Sequence, residues 1–194
     1  VCIGGGYNTD DSEIKLISGY IKVDMHSKNG LAVGSFNGNS IIKMIDPCRL
    51  DIFMSGIKAV GVGSFFNSAD ISLESNIDIS CSGAHAVGIG VLEKGTGDIA
   101  VSDSKINIKM RSARHSCIGT YDGDMNVKIS DSDIKIDSEG DEAVGIGDYT
   151  GSGNTILTDT TLSSQIYAAF PLDIGSKNGD VSLHDCNIES IVNG

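Results

Sequence analysis

The chain has no tryptophan, only 2 prolines among 194 residues, and no apolar run long enough to span a bilayer as a helix. It also lacks the 3.6-residue periodicity of an amphipathic helix, which excludes leucine-rich, ankyrin and helical-hairpin repeats. Basic residues are scarce. The 14 Lys and Arg stand against 26 Asp and Glu, for a net charge of -12. That balance opposes direct nucleic-acid binding and favours solubility, cations or basic partners. No charged-then-apolar leader and no lipidation motif is visible, so a membrane partner is not expected.

The composition instead supplies 25 glycines, with short Val and Ile pairs separated by Gly, Asn, Asp and Ser. This mixture suits short strands joined by tight turns. The phrases CIGGG, AVGSF, GVGSF, VGIGV, CIGTY, VGIGD and LDIGS place Gly4, Gly34, Gly63, Gly90, Gly119, Gly147 and Gly175 in one column, at spacings of 30, 29, 27, 29, 28 and 28 residues. Directly before them come Ile3, Val33, Val62, Ile89, Ile118, Ile146 and Ile174. A second alternating pair follows each anchor, as in Ile71/Leu73, Ile99/Val101 and Val127/Ile129, and then a third, as in Ile77/Ile79, Ile106/Ile108 and Ile134/Ile136. The sixth repeat is degenerate, with Leu157 and Leu162 holding these places.

Alternating positions face one side of a strand, and three short strands per repeat describe one triangular turn around an apolar axis. No single coil can bury its apolar face, whereas about seven stacked at about 4.8 Å form a rod on the order of 34 Å long. The expected fold is therefore all-β: a right-handed parallel β-helix (solenoid) of about seven coils, forming one domain over residues 1–194. A β-sandwich would show no such period. Val1 begins within a strand and Gly194 follows the third strand of a coil, so the expectation is a fragment of a longer protein, or end-to-end association.

The phrase AVGIG, followed by GDIAVSDSKINIKM or MNVKISDSDIKID, resembles the Gly-rich coils of bacterial right-handed parallel β-helix proteins, especially carbohydrate-binding or surface modules of Firmicutes. The resemblance covers nearly the whole chain and implies a β-helix. Because that frame carries lyases, adhesins, binding modules and sensory domains alike, it transfers no catalytic residue.

Four groups of residues are candidates for function. Asp103, Asp131, Asp159 and Asp185 repeat in the turn between the second and third strands. Such a column fits a calcium ion, the one cofactor suggested, or local turns in which each carboxylate accepts backbone N–H groups. A second polar column, Asp70, Asp98, Asn126, Asn154 and Asp180, reads as turn chemistry. Phe36, Phe65, Tyr121 and Tyr149 lie two residues after their anchor glycines, with Leu92 in the same column and Tyr7 one residue beyond it. These rings form an internal ladder or a sugar-binding edge. His26, Lys28, Lys58, His85, Arg111, Arg114 and His115 gather after the third strands, where stacking would make one positive stripe. The acidic residues Asp137, Glu139, Asp141 and Glu142 of the following turn could pair with them.

No enzyme is expected, since short turns provide no deep cleft and no Cys–His pair has a third orienting group. Cys2 and Cys117, like Cys48 and Cys186, share columns but lie several coils apart, and Cys81 falls in another turn, so all five thiols should be free. Free thiols fit a cytoplasm or the cell surface of an anaerobic bacterium. The small residues Cys2, Ala32, Gly61, Gly88, Cys117 and Gly145, with the anchor glycines, are expected to face outward and leave one smooth side for face-to-face association. The function expected is a non-catalytic binding module for a polysaccharide or a protein partner. The alternatives are an intracellular sensory or assembly module attached to an upstream regulator, such as a DNA-binding domain, and a structural spacer.

Overall fold

A computed structural model describes residues 2–5 and 12–194, so Val1 and Tyr7 lie outside the described residues. Among the described residues thirteen strands follow one another with no helix: β1 (Ile3–Gly5), β2 (Ser12–Leu16), β3 (Gly19–His26), β4 (Asn29–Ser35), β5 (Ser40–Met44), β6 (Cys48–Leu73), β7 (Asn76–Ser102), β8 (Lys105–Ser130), β9 (Asp133–Asp148), β10 (Thr155–Thr158), β11 (Thr161–Ser176), β12 (Val181–His184) and β13 (Asn187–Asn193). All pair in parallel in the order β1-β4-β6-β7-β8-β9-β11-β13, with β2, β5, β10 and β12 on the second side and β3 pairing the start of β6 on the third. The result is a β-solenoid of about seven turns about 28 residues apart.

The glycine column holds throughout: Gly4, Gly34, Gly63, Gly90, Gly119, Gly147 and Gly175 are successive partners. So do Ile89, Ile118 and Ile146, each fully buried. The degenerate sixth coil also keeps register, with Leu157 on Ile129 and Leu162 on Ile134.

One difference concerns strand length. In place of three short strands per coil, β6, β7 and β8 each run for 26 or 27 residues around the corners, because ladder hydrogen bonds continue through the bends. The anchor glycines permit this. At φ of +119° to +144° they occupy backbone space that L side chains rarely adopt, and a Cβ on Gly34, Gly63, Gly90, Gly119 or Gly147 would lie 1.6–2.1 Å from the next coil's glycine carbonyl oxygen.

The small residues two positions earlier face the axis, contrary to the outward smooth face expected of them. Ala32 and Cys117 belong to the same buried core as Val33 and Ile118. A Cβ on Gly61 or Gly88 would approach the core side chains of Ile79 or Ile108. Cys2 is exposed in the first coil. Two successive inward residues just before the glycine break strict alternation, so period-two reasoning fails there. Cys81 likewise lies in β7 with its side chain buried in the core, not in a turn. All five cysteines are free thiols.

Candidate functional site

The aromatic column divides into two parts. Phe36 stacks on Phe65 with ring centroids 4.3 Å apart, and both seal a small outer cluster with Leu31, Val60, Val87 and Leu92. These rings are buried, but outside the main core. In the fifth coil the residue matching Val87 is Ser116, which interrupts the apolar column before the buried Val144. The two tyrosines that follow are only half-buried, and Tyr121 stacks on Tyr149 at 5.1 Å with 9° between the rings.

Beside this pair, the parallel register sets Lys58, His85, Arg114 and Glu142 in one column across four coils. Lys58 pairs with Glu93. The Arg114 Nε lies 3.0 Å from Glu142 Oε2, and the Tyr121 hydroxyl donates to that same oxygen. His85, Glu93, Arg114, Tyr121, Asp122 and Thr150 line a surface concavity of about 330 Å³ with Leu92 as its apolar part, and Lys58, Glu142 and Tyr149 adjoin it through their partners Glu93, Arg114 and Tyr121. The Thr150 hydroxyl donates to Asp122 Oδ1 at 3.1 Å.

The electrostatics follow from that packing. Burial lowers the His85 pKa below its ordinary value, and the neighbouring Arg114 and Lys58 lower it further, so the imidazole is neutral near pH 7. Burial and the hydrogen bond to Glu142 hold the Tyr121 phenol well above its usual range, which keeps it a donor. Each cation is matched by a carboxylate. The groove offers an imidazole, a guanidinium, two hydroxyls, carboxylates and an aromatic face, with no excess of positive charge.

The expected positive stripe forms only in part, since Lys58, His85 and Arg114 share a column but the other basic residues do not join it. His26 and Arg111 share a separate column. Arg111 is bound into the acidic turn after it, with two contacts of 2.8 Å to the Asp137 carboxylate and one of 3.4 Å to Glu139. Lys28 is exposed in a turn whose backbone carbonyl accepts the N–H groups of Ile57 and Lys58. His115, expected on the surface, is completely buried. It takes the inward place held by Ala59, Ala86 and Ala143 in neighbouring coils, a column visible in the aligned repeats once the register is known.

The four aspartates Asp103, Asp131, Asp159 and Asp185 are exposed, all with φ between +47° and +51°. Asp is one of the few non-glycine residues that accept this left-handed conformation, so backbone shape explains the column. None of their carboxylates makes a hydrogen bond among the described residues, which removes the side-chain turn role expected for them. Among the described residues no group of three or more His, Cys, Asp or Glu is placed to hold a metal ion. The second polar column does more than shape turns. Asp70 Oδ1 accepts the Asp98 N–H, Asp98 Oδ1 the Asn126 amide, Asn126 Oδ1 the Asn154 N–H, and Asn154 Oδ1 the Asp180 N–H, a side-chain ladder from coil to coil.

Of the residues picked from sequence, Lys58, His85, Arg114, Tyr121 and Tyr149 therefore meet at one place, whereas Phe36, Phe65, Lys28 and Arg111 do not join them. Glu142 of the acidic turn pairs with Arg114, as one expected pairing allowed, whereas Glu93, Asp122 and Thr150 were missed, because only the register carries them to the tyrosines. Comparison with known protein families, curated proteins and solved structures finds no match for this chain.

Proposed function

We propose that the chain is a non-catalytic binding module that takes a neutral, polyhydroxylated ligand such as a polysaccharide in the groove around Tyr121 and Tyr149. The observation that carries this reading is a concavity lined by Tyr121, Glu93 and Arg114, beside which Tyr149 stacks on Tyr121 and Lys58 and Glu142 offset the charges of Glu93 and Arg114. A sugar ring presents apolar C–H faces and a rim of hydroxyls, which match an aromatic surface bordered by donors and acceptors. Because both cations are already offset by carboxylates, the groove suits an uncharged sugar better than an acidic one. The test is a glycan array followed by calorimetric titration with the best neutral oligosaccharide. Tyr149→Ala and Arg114→Ala should each weaken binding by about tenfold or more, a loss of about 1.4 kcal/mol. Unchanged affinity in both variants, or no neutral glycan bound by the wild type, would overturn the assignment.

A further inference from the structure

The loop that brings Tyr149 and Thr150 to the groove runs from the end of β9 to the start of β10. Its outer tethers are exposed. Asp122 accepts from the Thr150 hydroxyl, and Asp124 Oδ1 accepts the Ser152 N–H at 2.7 Å and the Ser152 hydroxyl at 2.8 Å. Its inner tether is Asp148, the residue just before Tyr149, which is fully buried. Oδ2 of Asp148 accepts two backbone N–H groups, from Gly153 at the far end of the loop and from Met125 on the preceding coil, each at 3.0 Å.

This is a departure from the rest of the column. The equivalent residues are Gly5, Ser35, Ser64, Val91, Thr120 and Ser176. There Ser35 donates to the Gly38 carbonyl at 2.5 Å and Ser176 to the Gly153 carbonyl at 2.7 Å. Only Asp148 is an obligate acceptor when ionised. Two loop glycines make room for it, since a Cβ on Gly153 would lie 2.4 Å from Oδ2 and one on Gly151 would lie 3.0 Å from the Asp148 Cβ.

We propose that Asp148 is a positioning residue for the groove, whose carboxylate closes the loop from beneath and thereby sets the Tyr149 ring against Tyr121. The role rests on the assignment of the groove as the binding site, but its mechanics are independent of any ligand. Without the acceptor, the Met125 and Gly153 N–H groups would be buried and unpaired, so the loop would have to open to hydrate them. Tyr149 and Thr150, one and two residues away, would move with it. Burial without a matching cation raises the Asp148 pKa to about 6, so this tether carries a cost that a serine in the same place would not.

The test compares Asp148→Asn, which keeps an acceptor oxygen, with Asp148→Ser, which installs the residue that neighbouring coils already accommodate. Amide hydrogen exchange at Gly153 and Met125 and the ring resonances of labelled Tyr149 are read in the absence of ligand. In the Ser variant, exchange at both amides should accelerate at least tenfold and the Tyr149 shifts should lose their stacked character, with the far-ultraviolet circular dichroism retained. The Asn variant should restore both. Wild-type exchange and ring shifts in the Ser variant would overturn the role, as would equal disruption in the Asn variant. Titration of the same proteins with the best neutral oligosaccharide then separates the two claims. Altered loop dynamics with no wild-type glycan binding would refute the binding assignment and leave the positioning role standing.

Discussion

His115 Nε2 lies 2.5 Å from the Ser138 hydroxyl, inside the solenoid, while Nδ1 lies 2.8 Å from the Ser112 carbonyl oxygen. A carbonyl only accepts, so Nδ1 carries the proton and Nε2 accepts from Ser138. The imidazole is thus held neutral, and burial lowers its pKa to about 4.

His115 and Asp148 should oppose each other in acid. For His115 the unfolded chain takes up a proton near pH 6.5 that the folded chain refuses until about 4, so its contribution is lost as pH falls across that window. Asp148 behaves in reverse. Its folded pKa of about 6 exceeds the ordinary 3.8, so the folded chain binds the proton first and stability rises as pH falls from 6 towards 3.8. Urea titrations between pH 4 and 7 should show Asp148→Asn losing stability on acidification more steeply than wild type. Parallel profiles for the two proteins would refute this.

Charge in the axis should be ruinous. Ile118 sits between Ile89 and Ile146 with no exposed surface. Ile118→Val should cost about 1 kcal/mol, whereas Ile118→Asp should unfold several coils. Native circular dichroism in the Asp variant would contradict the packing.

Two glycines with similar backbone angles should respond differently to alanine. Gly90, at φ +139°, would place a Cβ 1.8 Å from the Gly119 carbonyl oxygen, while Gly19, at φ +115°, has nothing within 4 Å. Gly19→Ala should cost about 1 kcal/mol of backbone strain, and Gly90→Ala several times more by forcing coils apart. Thermal melts of the two variants decide the matter, and equal losses would show that strain alone governs both.

Thiol chemistry should follow burial. Cys2 and Cys186 should react with a thiol reagent in the native state, while Cys48, Cys81 and Cys117 wait for denaturant. Burial pushes the Cys81 thiol up to about 12 and so removes its thiolate. Rapid labelling of more than two thiols in native protein would indicate that the core opens.

The coil period, the glycine column and the stacked Ile89, Ile118 and Ile146 could all be read from the one-dimensional string, because each coil repeats the same local demands at nearly constant spacing. The glycines mark the places where only a residue without a Cβ tolerates both the bend and the neighbouring carbonyl. What lay beyond the sequence was side-chain direction around that bend. Alternation predicted an outward face for Ala32 and Cys117, and the grouping of basic residues after the third strands a surface place for His115, yet all three turn inward, next to the positive-φ corner where strict alternation breaks. The groove was decided by the same geometry. His85, Glu93, Arg114, Tyr121, Glu142 and Tyr149 are spread over 65 positions of the chain, and only stacking successive coils one strand spacing apart brings their side chains to one place.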